Sequence, residues 1–371
     1  MTAKPVHRAV ALSVVKHAYL PRAVAAHPQF ELVGVADHDC QPDWVHDRNQ
    51  AFADEFKIPY LRSVEQALGR LEASVAVVSS EAERHCELGI RAANAGLHVI
   101  LDKPLALRMA EADQFVDAVQ RENVQSLVWN RNYLPALVQA KAALDAGRIG
   151  RLHSIHCDFY FSKDAGPKKG SRGPGDPPIN WLQRQIEAHA DGSDGGVGVE
   201  AMGELQVEGI YPLGYIHMLT GACVDRVYAR TAAHFHQAHV DNEVEDLASV
   251  TLELSGGLTG SLCIGRIGAA AHPDIGEIKL HLIGSEGAMV VTEARPEVSV
   301  YYQGQDPKEF KHRRVGDQNN FLLMEEFARS IEGQTSPVLD ALGARNITAT
   351  VLGAIESSET GRVVEIKNRE R

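Results

Sequence analysis

The sequence predicts an α/β protein built in two parts, a parallel sheet followed by a large and mostly antiparallel one. Three observations carry this. A chain of 371 residues is long for one ordinary core and sufficient for two. Residues 1–130 alternate β-rich runs with helical patterns, the rhythm of βαβ units. Beyond Tyr133 the strand-like runs follow one another through glycine-containing turns, as antiparallel strands do.

In order, "RAVALSV" predicts a strand, "LPRAVAAH" a helix and "FELVGVAD" a second strand. The strands "SVAVVSS", "LHVILD" and "VQSLVWN" follow, separated by the helical patterns "HCELGIRAANAG" and "LRMAEADQFVDAVQREN". Gly96 stands where a left-handed cap ends a helix, and Pro104 where the chain must leave the sheet. A helix, "LPALVQAKAALDAG", opens the second part. Its strands are "GRLHSIHCDFYF", "VDRVYART", "EDLASVTLEL", "LTGSLCIGRIG", "EIKLHLIG" and "GAMVVTEA", and two helical segments close the chain. The division between the parts is placed at residue 130. The run "SKDAGPKKGSRGPGDPP" has the composition of a disordered loop or of a lid over a cleft, with Lys168, Lys169 and Arg172 as solvated charges.

With 44% hydrophobic and 23% charged residues, the composition is that of a soluble globular protein. A net charge of −12 argues against a nucleic-acid or anionic-membrane partner, both of which attract clustered Lys and Arg. The five cysteines show no paired spacing, no long apolar run exists, and the first residues lack the pattern of a signal peptide. A reduced, cytoplasmic protein with a small-molecule substrate is expected.

Four segments, in order, resemble the Gfo/Idh/MocA oxidoreductases. They are "NAGLHVILDKPLALRMAEADQFVDAV", "NRNYLPALVQAKAALDAGRIGRL", "LIGSEGAMVV" and the terminal stretch from "NNFLLMEEF" to "GRVVEI". The resemblance implies a Rossmann-like NAD(P)-binding domain, joined to an α/β domain whose open sheet faces the substrate and often mediates oligomers. In its Asp102-Lys103-Pro104 turn, Lys103 matches the family's lysine beside the nicotinamide and the reacting hydroxyl; Asp102 borders the cofactor. Where many members carry Asp-x-Gly-x-His, this chain reads Glu208-Gly209-Ile210-Tyr211, a form similar to the glucose-fructose oxidoreductase and dihydrodiol dehydrogenase branches. Tyr211 is thereby expected to handle the hydroxyl proton, its pKa lowered by the Lys103 ammonium, with Glu208 orienting the pair. His217, six residues on, faces away from Tyr211 on an ideal helix.

Asp37 closes the second strand, where an acidic residue accepts hydrogen bonds from the adenosine ribose; His38 follows, so NAD is expected, with NADP as the alternative. The stretch "VALSVVKHAYLPRAV", residues 10–24, contains no glycine. Ala11, Ser13 and Lys16 stand where the family has small residues. A tight turn is possible there if no positive φ is needed, with Lys16 and His17 meeting the phosphates through their side chains. In "VVSSEAERH", the resemblance implies that Ser79, Ser80 and His85 border the cofactor, although the family's proline is gone. Asn130, Arg131 and Tyr133 are expected to line the cleft, Asn130 on the cofactor side and the other two on the substrate side. His234, His236 and His239 alternate as on one strand face without completing a metal site.

The expected function is therefore an NAD(P)-dependent oxidoreductase acting on a secondary alcohol or ketone of a sugar, polyol or cyclic diol. The alternatives are a non-redox lyase or hydrolase on the same fold and a binding homologue without turnover. An open sheet with exposed apolar strands predicts a homodimer or homotetramer through that sheet.

Overall fold

The computed structural model describes residues 6–161, 201–266, 276–293, 298–300, 308–310 and 314–370. The Gly, Pro and Lys-rich run, with Lys168, Lys169 and Arg172, lies outside them.

Apolar runs without polar alternation form strands buried on both faces, and the first part of the chain is built of these. Strands β1 (His7–Leu12), β2 (Phe30–Ala36), β3 (Tyr60–Leu61), β4 (Val75–Val78), β5 (His98–Leu101) and β6 (Ser126–Val128) pair in parallel, in the order β3-β2-β1-β4-β5-β6. The crossovers are α1 (Tyr19–Ala26), α2 (Asp43–Phe56), α3 (Val64–Arg70), α4 (His85–Asn94) and α5 (Met109–Arg121), and α6 (Pro135–Asp145) follows the last of these strands. Gly96 follows α4 at φ 81°, the left-handed cap expected there. Helices α2 and α3 and the short β3 had no clear signal in the sequence. In the largely polar α2, burial rests on Val45, Phe52 and Ala53, spaced seven and eight residues apart on one face. Strand order runs away from β1 in one direction and from β4 in the other, so a crevice opens above the carboxyl ends of these two strands.

The second sheet has the order β12-β11-β7-β10-β9-β8-β15. Its strands are β7 (Leu152–Phe161), β8 (Val224–Ala232), β9 (Leu247–Leu254), β10 (Leu258–Arg266), β11 (Gly276–Gly284), β12 (Ala288–Glu293) and β15 (Val364–Glu365). Every neighbouring pair is antiparallel except β7 with β10. Two short strands, β13 (Val298–Val300) and β14 (Lys308–Phe310), pair separately. Inward residues such as Phe159, Leu252, Ile264 and Leu280 are buried, and α8 (Ile210–Thr220) and α11 (Ala341–Thr360) pack on the sheet.

The outward face differs from the expectation of exposed apolar strands. It carries Ser154, His156, Thr251, Glu253 and Ser261, with His156 bridging the hydroxyls of Ser154 and Ser261 at 2.9 and 2.8 Å. Alternation in a sheet with one dry face puts polar side chains on the other; Tyr228, Ile283 and Val290 are the large apolar exceptions.

The chain's end returns to the first sheet. The Val128 amide donates to Leu339 O (3.0 Å), the Ala341 amide to Ser126 Oγ (2.9 Å), and Arg345 of α11 pairs with Asp113 of α5 at 2.8 Å. Helix α10 (Arg314–Ile331) packs on α1. One continuous apolar core therefore runs through both sheets, and the segment after residue 313 belongs to the packing of each.

Candidate active site

At the end of β1 the chain turns on Ser13, whose φ of 62° lies in the left-handed region. The condition under which small residues suffice for a tight turn, that no positive φ is needed, is therefore not met at Ser13. The Ser13 amide still bonds to Ala36 O of β2 (2.9 Å) while the chain swings off the sheet, which a right-handed residue does not allow as readily. Ala11 is no part of the turn: it is a β1 residue registered between Val35 and Val77. The Ser13 Oγ is buried and meets no hydrogen-bond partner among the described residues. Replacing Ser13 with Gly is accordingly expected to stabilise the protein by about 1 kcal/mol, whereas Ala11→Gly loses about 0.5–1 kcal/mol from a strand interior; urea midpoints check both.

Beyond Ser13, side chains hold the loop down. The Val14 amide donates to Asn49 Oδ1 of α2 (2.9 Å), the Lys16 amide to Ser79 O (3.2 Å), and the Ser79 hydroxyl to His17 O (2.8 Å). His17 Nδ1 lies 2.5 Å from Oδ2 of the fully buried Asp102, whose Oδ1 accepts the Lys103 amide at 2.8 Å. Burial works against ionising Asp102, but His17, with His85 and Lys103, outweighs it and holds the carboxyl below its usual pKa. Lys16 is pushed below the ordinary lysine range, first by burial and then by the Lys103 ammonium.

Lys103 is 7% exposed, at the carboxyl end of β5. Its ammonium donates to Val207 O (3.0 Å) and lies 3.4 Å from Glu208. Helix α7 (Glu204–Glu208) sets two carboxylates four residues apart on one face, and both turn to Arg266 at the end of β10. Arg266 Nε reaches Glu204 at 2.9 Å and its Nη2 reaches Glu208 at 3.3 Å. Glu208 therefore links Lys103 to a buried guanidinium.

Tyr211 begins α8 fully buried, with Lys103 Nζ 5.3 Å and the Arg131 guanidinium 4.8 Å from its ring centroid. Lysine and tyrosine do meet, but through the ring face. The expectation of a lowered phenol pKa is corrected: burial raises it well above the ordinary value, reinforced by Tyr19, against which the Arg131 charge is insufficient. An aromatic ladder joins the loop to Tyr211: His17 to Tyr19 (5.0 Å), Tyr19 to Trp129 (5.0 Å), and Trp129 to Tyr211 (5.6 Å, edge to face).

At the other end of the crevice, Asp37 is fully buried and its carboxylate is already engaged. Oδ1 accepts Arg84 Nη1 (2.6 Å) and the His38 amide (2.9 Å); Oδ2 accepts Asn49 Nδ2 (3.0 Å) and Arg84 Nη2 (3.3 Å). Nearby, each ring nitrogen of His85 faces a carbonyl, Pro104 O at 2.7 Å and Ser80 O at 3.0 Å, and burial lowers its pKa. The Ser80 hydroxyl donates to Glu81 O. Ser79, Ser80 and His85 therefore brace the crevice from within the protein.

Of the residues expected in the cleft, Arg131 is brought to Tyr211, while two are placed otherwise. Asn130 spends its amide on Val128 O and the Asn132 amide, inside its own turn. The Tyr133 hydroxyl donates to Glu326 of α10 at 2.8 Å. His234, His236 and His239 are not on a strand: they precede and enter the short α9 (Gln237–Asp241), and Asp246 caps the backbone amides of residues 234–236. Among the described residues no group of side chains could hold a metal. Arg84, Arg266, Glu204, Tyr19 and Trp129 were missed by sequence reading. Only the i, i+4 glutamates of "GELQVEG" carried a signal, since the others act through contacts remote in sequence.

Residues 13–130 match the oxidoreductase family described as GFO/IDH/MocA, NAD-binding Rossmann fold, and residues 199–290 match the GFO/IDH/MocA C-terminal domain. Together these cover more than half of the chain. The chain belongs to the Gfo/Idh/MocA oxidoreductases. Its parallel sheet is the family's NAD-binding Rossmann fold, and its mostly antiparallel sheet the family's second unit. Among curated relatives it is 34% identical over 104 residues to the levoglucosan dehydrogenase of Pseudarthrobacter phenanthrenivorans, covering 28% of this chain and 25% of that one. It is 26% identical over 122 residues to the inositol 2-dehydrogenase of Salmonella typhimurium, covering 32% and 36%. The matches thus span about a quarter to a third of the length of these relatives. The solved structure of scyllo-inositol dehydrogenase from Lactobacillus casei with bound NAD(H) and scyllo-inositol superposes with a TM-score of 0.75, at 15% identity over 97% of this chain and 99% of that one, a likeness of fold.

Proposed function

We propose that this Gfo/Idh/MocA protein is an NAD(P)-dependent oxidoreductase of a secondary alcohol or ketone on a cyclic polyol, sugar or cyclic diol. The observation that carries this reading is a buried lysine at the carboxyl end of β5, anchored by Glu208 and packed on Tyr211. The donor set at the crevice fits a dinucleotide. Lys16, whose charge is disfavoured by burial and by Lys103 against the pull of Glu83, Asp102 and Glu81, would gain from an anionic diphosphate; Lys16 and His17 would hold it. When bound, the nicotinamide supplies a hydride carrier at its C4. Lys103 and Tyr211 then hold and move the hydroxyl proton. Because burial keeps the phenol protonated, Tyr211 serves as the acid toward a carbonyl oxygen, with the Lys103 ammonium stabilising the charge that develops there. The named relatives support the substrate class.

Mass spectrometry of the denatured native protein, followed by titration with NAD(H) and NADP(H) and a panel of inositols and anhydrosugars, tests this. Bound or titratable dinucleotide with turnover of a panel member is the expected result; no binding at millimolar dinucleotide would leave the non-redox alternative. Lys16→Ala is expected to weaken NADH binding about tenfold or more, with a reduced salt dependence, by loss of a charge-assisted contact.

The proposal includes a cytoplasmic setting and a homodimer or homotetramer through the seven-stranded sheet. All five cysteines are free, and the sheet's outward face pairs apolar Ile283 and Val290 with hydroxyl and imidazole groups, a mixture suited to association. Sedimentation at micromolar concentration is expected to show a dimer or larger; a monomer rejects it.

A further inference from the structure

Arg84 reaches across the site in a way that nothing in the family assignment requires. It ends the short 3-10 helix Ala82–Arg84 that follows β4, while Asp37 follows β2. Since β1 lies between β2 and β4, the guanidinium bridges the crevice over the end of β1, above the turn at Ser13. It binds Asp37 with two nitrogens, and its other edge is held by Glu81 at 2.7 and 3.0 Å. The four acceptor positions of the Asp37 carboxylate are then filled by Arg84, Asn49 and the His38 amide, leaving none for a ribose diol. The Arg84 side chain is 18% exposed, so it sits at the rim, where rotation outward meets solvent.

We propose that Arg84 is a latch on the adenosine-ribose acceptor Asp37, which a dinucleotide must displace, and that it governs the choice between a 2′-hydroxyl and a 2′-phosphate. With the latch closed, Arg84 is shared by Asp37 and Glu81, so the three groups carry one net negative charge and Asp37 is no longer a bare anion, which weakens the repulsion of a 2′-phosphate. The same guanidinium, released from Asp37, can pair with that phosphate bidentately. For NAD, release separates two charges, and only afterwards does the carboxylate accept the ribose hydroxyls. Removing the guanidinium therefore helps NAD and hurts NADP.

This rests on the reading of the crevice as a dinucleotide site, and the test separates the two. Binding of ADP-ribose and its 2′-phosphorylated form is measured by calorimetry on the whole protein and on Arg84→Gln, so that no turnover is needed. The parent is expected to bind the two ligands within about tenfold of one another. The variant is expected to bind ADP-ribose about tenfold tighter than the parent and the 2′-phosphate form about tenfold weaker. Equal affinities in parent and variant, or a parent that rejects the 2′-phosphate by about a hundredfold or more, overturn the latch while leaving the dinucleotide site standing. Failure of every ligand to bind either protein overturns both. If Arg84→Gln does not fold because Asp37 is left buried and charged, the parent's ligand ratio still decides. The double variant Arg84→Gln with Asp37→Asn, which leaves no charge at the fully buried position 37 and only the part-exposed Glu81 without its arginine, is then expected to lose the parent's affinity for the 2′-phosphate.

Discussion

Replacing Lys103 with methionine is expected to lower kcat by about 10²–10⁴-fold while leaving the fold and NADH binding nearly intact. The expected loss corresponds to roughly 3–5 kcal/mol of transition-state stabilisation. The separation of activity from stability follows from the geometry. Lys103 is nearly buried, and removing a buried cation ordinarily strands its partner, but Glu208 keeps Arg266 at 3.3 Å, and Val207 O loses a single hydrogen bond. Methionine fills similar volume against the Tyr211 ring. Turnover of whichever cyclic polyol the panel identifies, followed by NADH fluorescence, measures the effect, with a urea midpoint as the control. A variant that keeps more than about a tenth of the parent rate removes Lys103 from the chemistry.

Arg266→Leu is expected to destabilise the protein by about 3–5 kcal/mol, the largest stability effect anticipated here. Arg266 and Glu204 are almost fully buried, at 3% and 0% side-chain exposure, so the glutamate loses its principal compensation in a medium that solvates charge poorly. Burial already raises the Glu204 pKa against the pull of Arg266, and without the arginine it takes up a proton more readily still. The double replacement with Glu204→Leu is expected to recover most of the loss, because it removes both charges and leaves apolar volume. Urea unfolding of the two variants distinguishes a stranded charge from a cavity: a double variant as unstable as the single one points to the cavity.

Much of this architecture was legible in residue order. The continuous apolar runs ending at Leu12, Ala36, Val78, Leu101 and Val128 mark strands buried on both faces, because the helices of βαβ units cover each side. Asp37 and Lys103 were singled out at the ends of recognisable strands, and the roles expected of Lys103 and Tyr211 came from the resemblance of their motifs to the family's. By contrast, the polar segment that forms α2 contributes Asn49, which fixes both Val14 and Asp37, and nothing in its local pattern marks that role.

Local pattern was thus enough for the parallel α/β character of the first unit and for the strand ends at which ligands gather, while the family resemblance pointed to the lysine and the tyrosine. Hydrophobic period and turn chemistry depend on neighbours a few residues apart, and those are read directly from the chain. Only the folded molecule decided the state of the groups so placed. The phenol of Tyr211 is held protonated by complete burial beneath Trp129 and Phe159, despite a lysine at its ring. Ser13 takes a glycine-like backbone because β1 and β2 stay paired beneath it. Asp37 meets an arginine 47 residues away across the end of an intervening strand. Desolvation and ion pairing are sums over everything packed around a group, and most of what surrounds these groups comes from distant parts of the sequence.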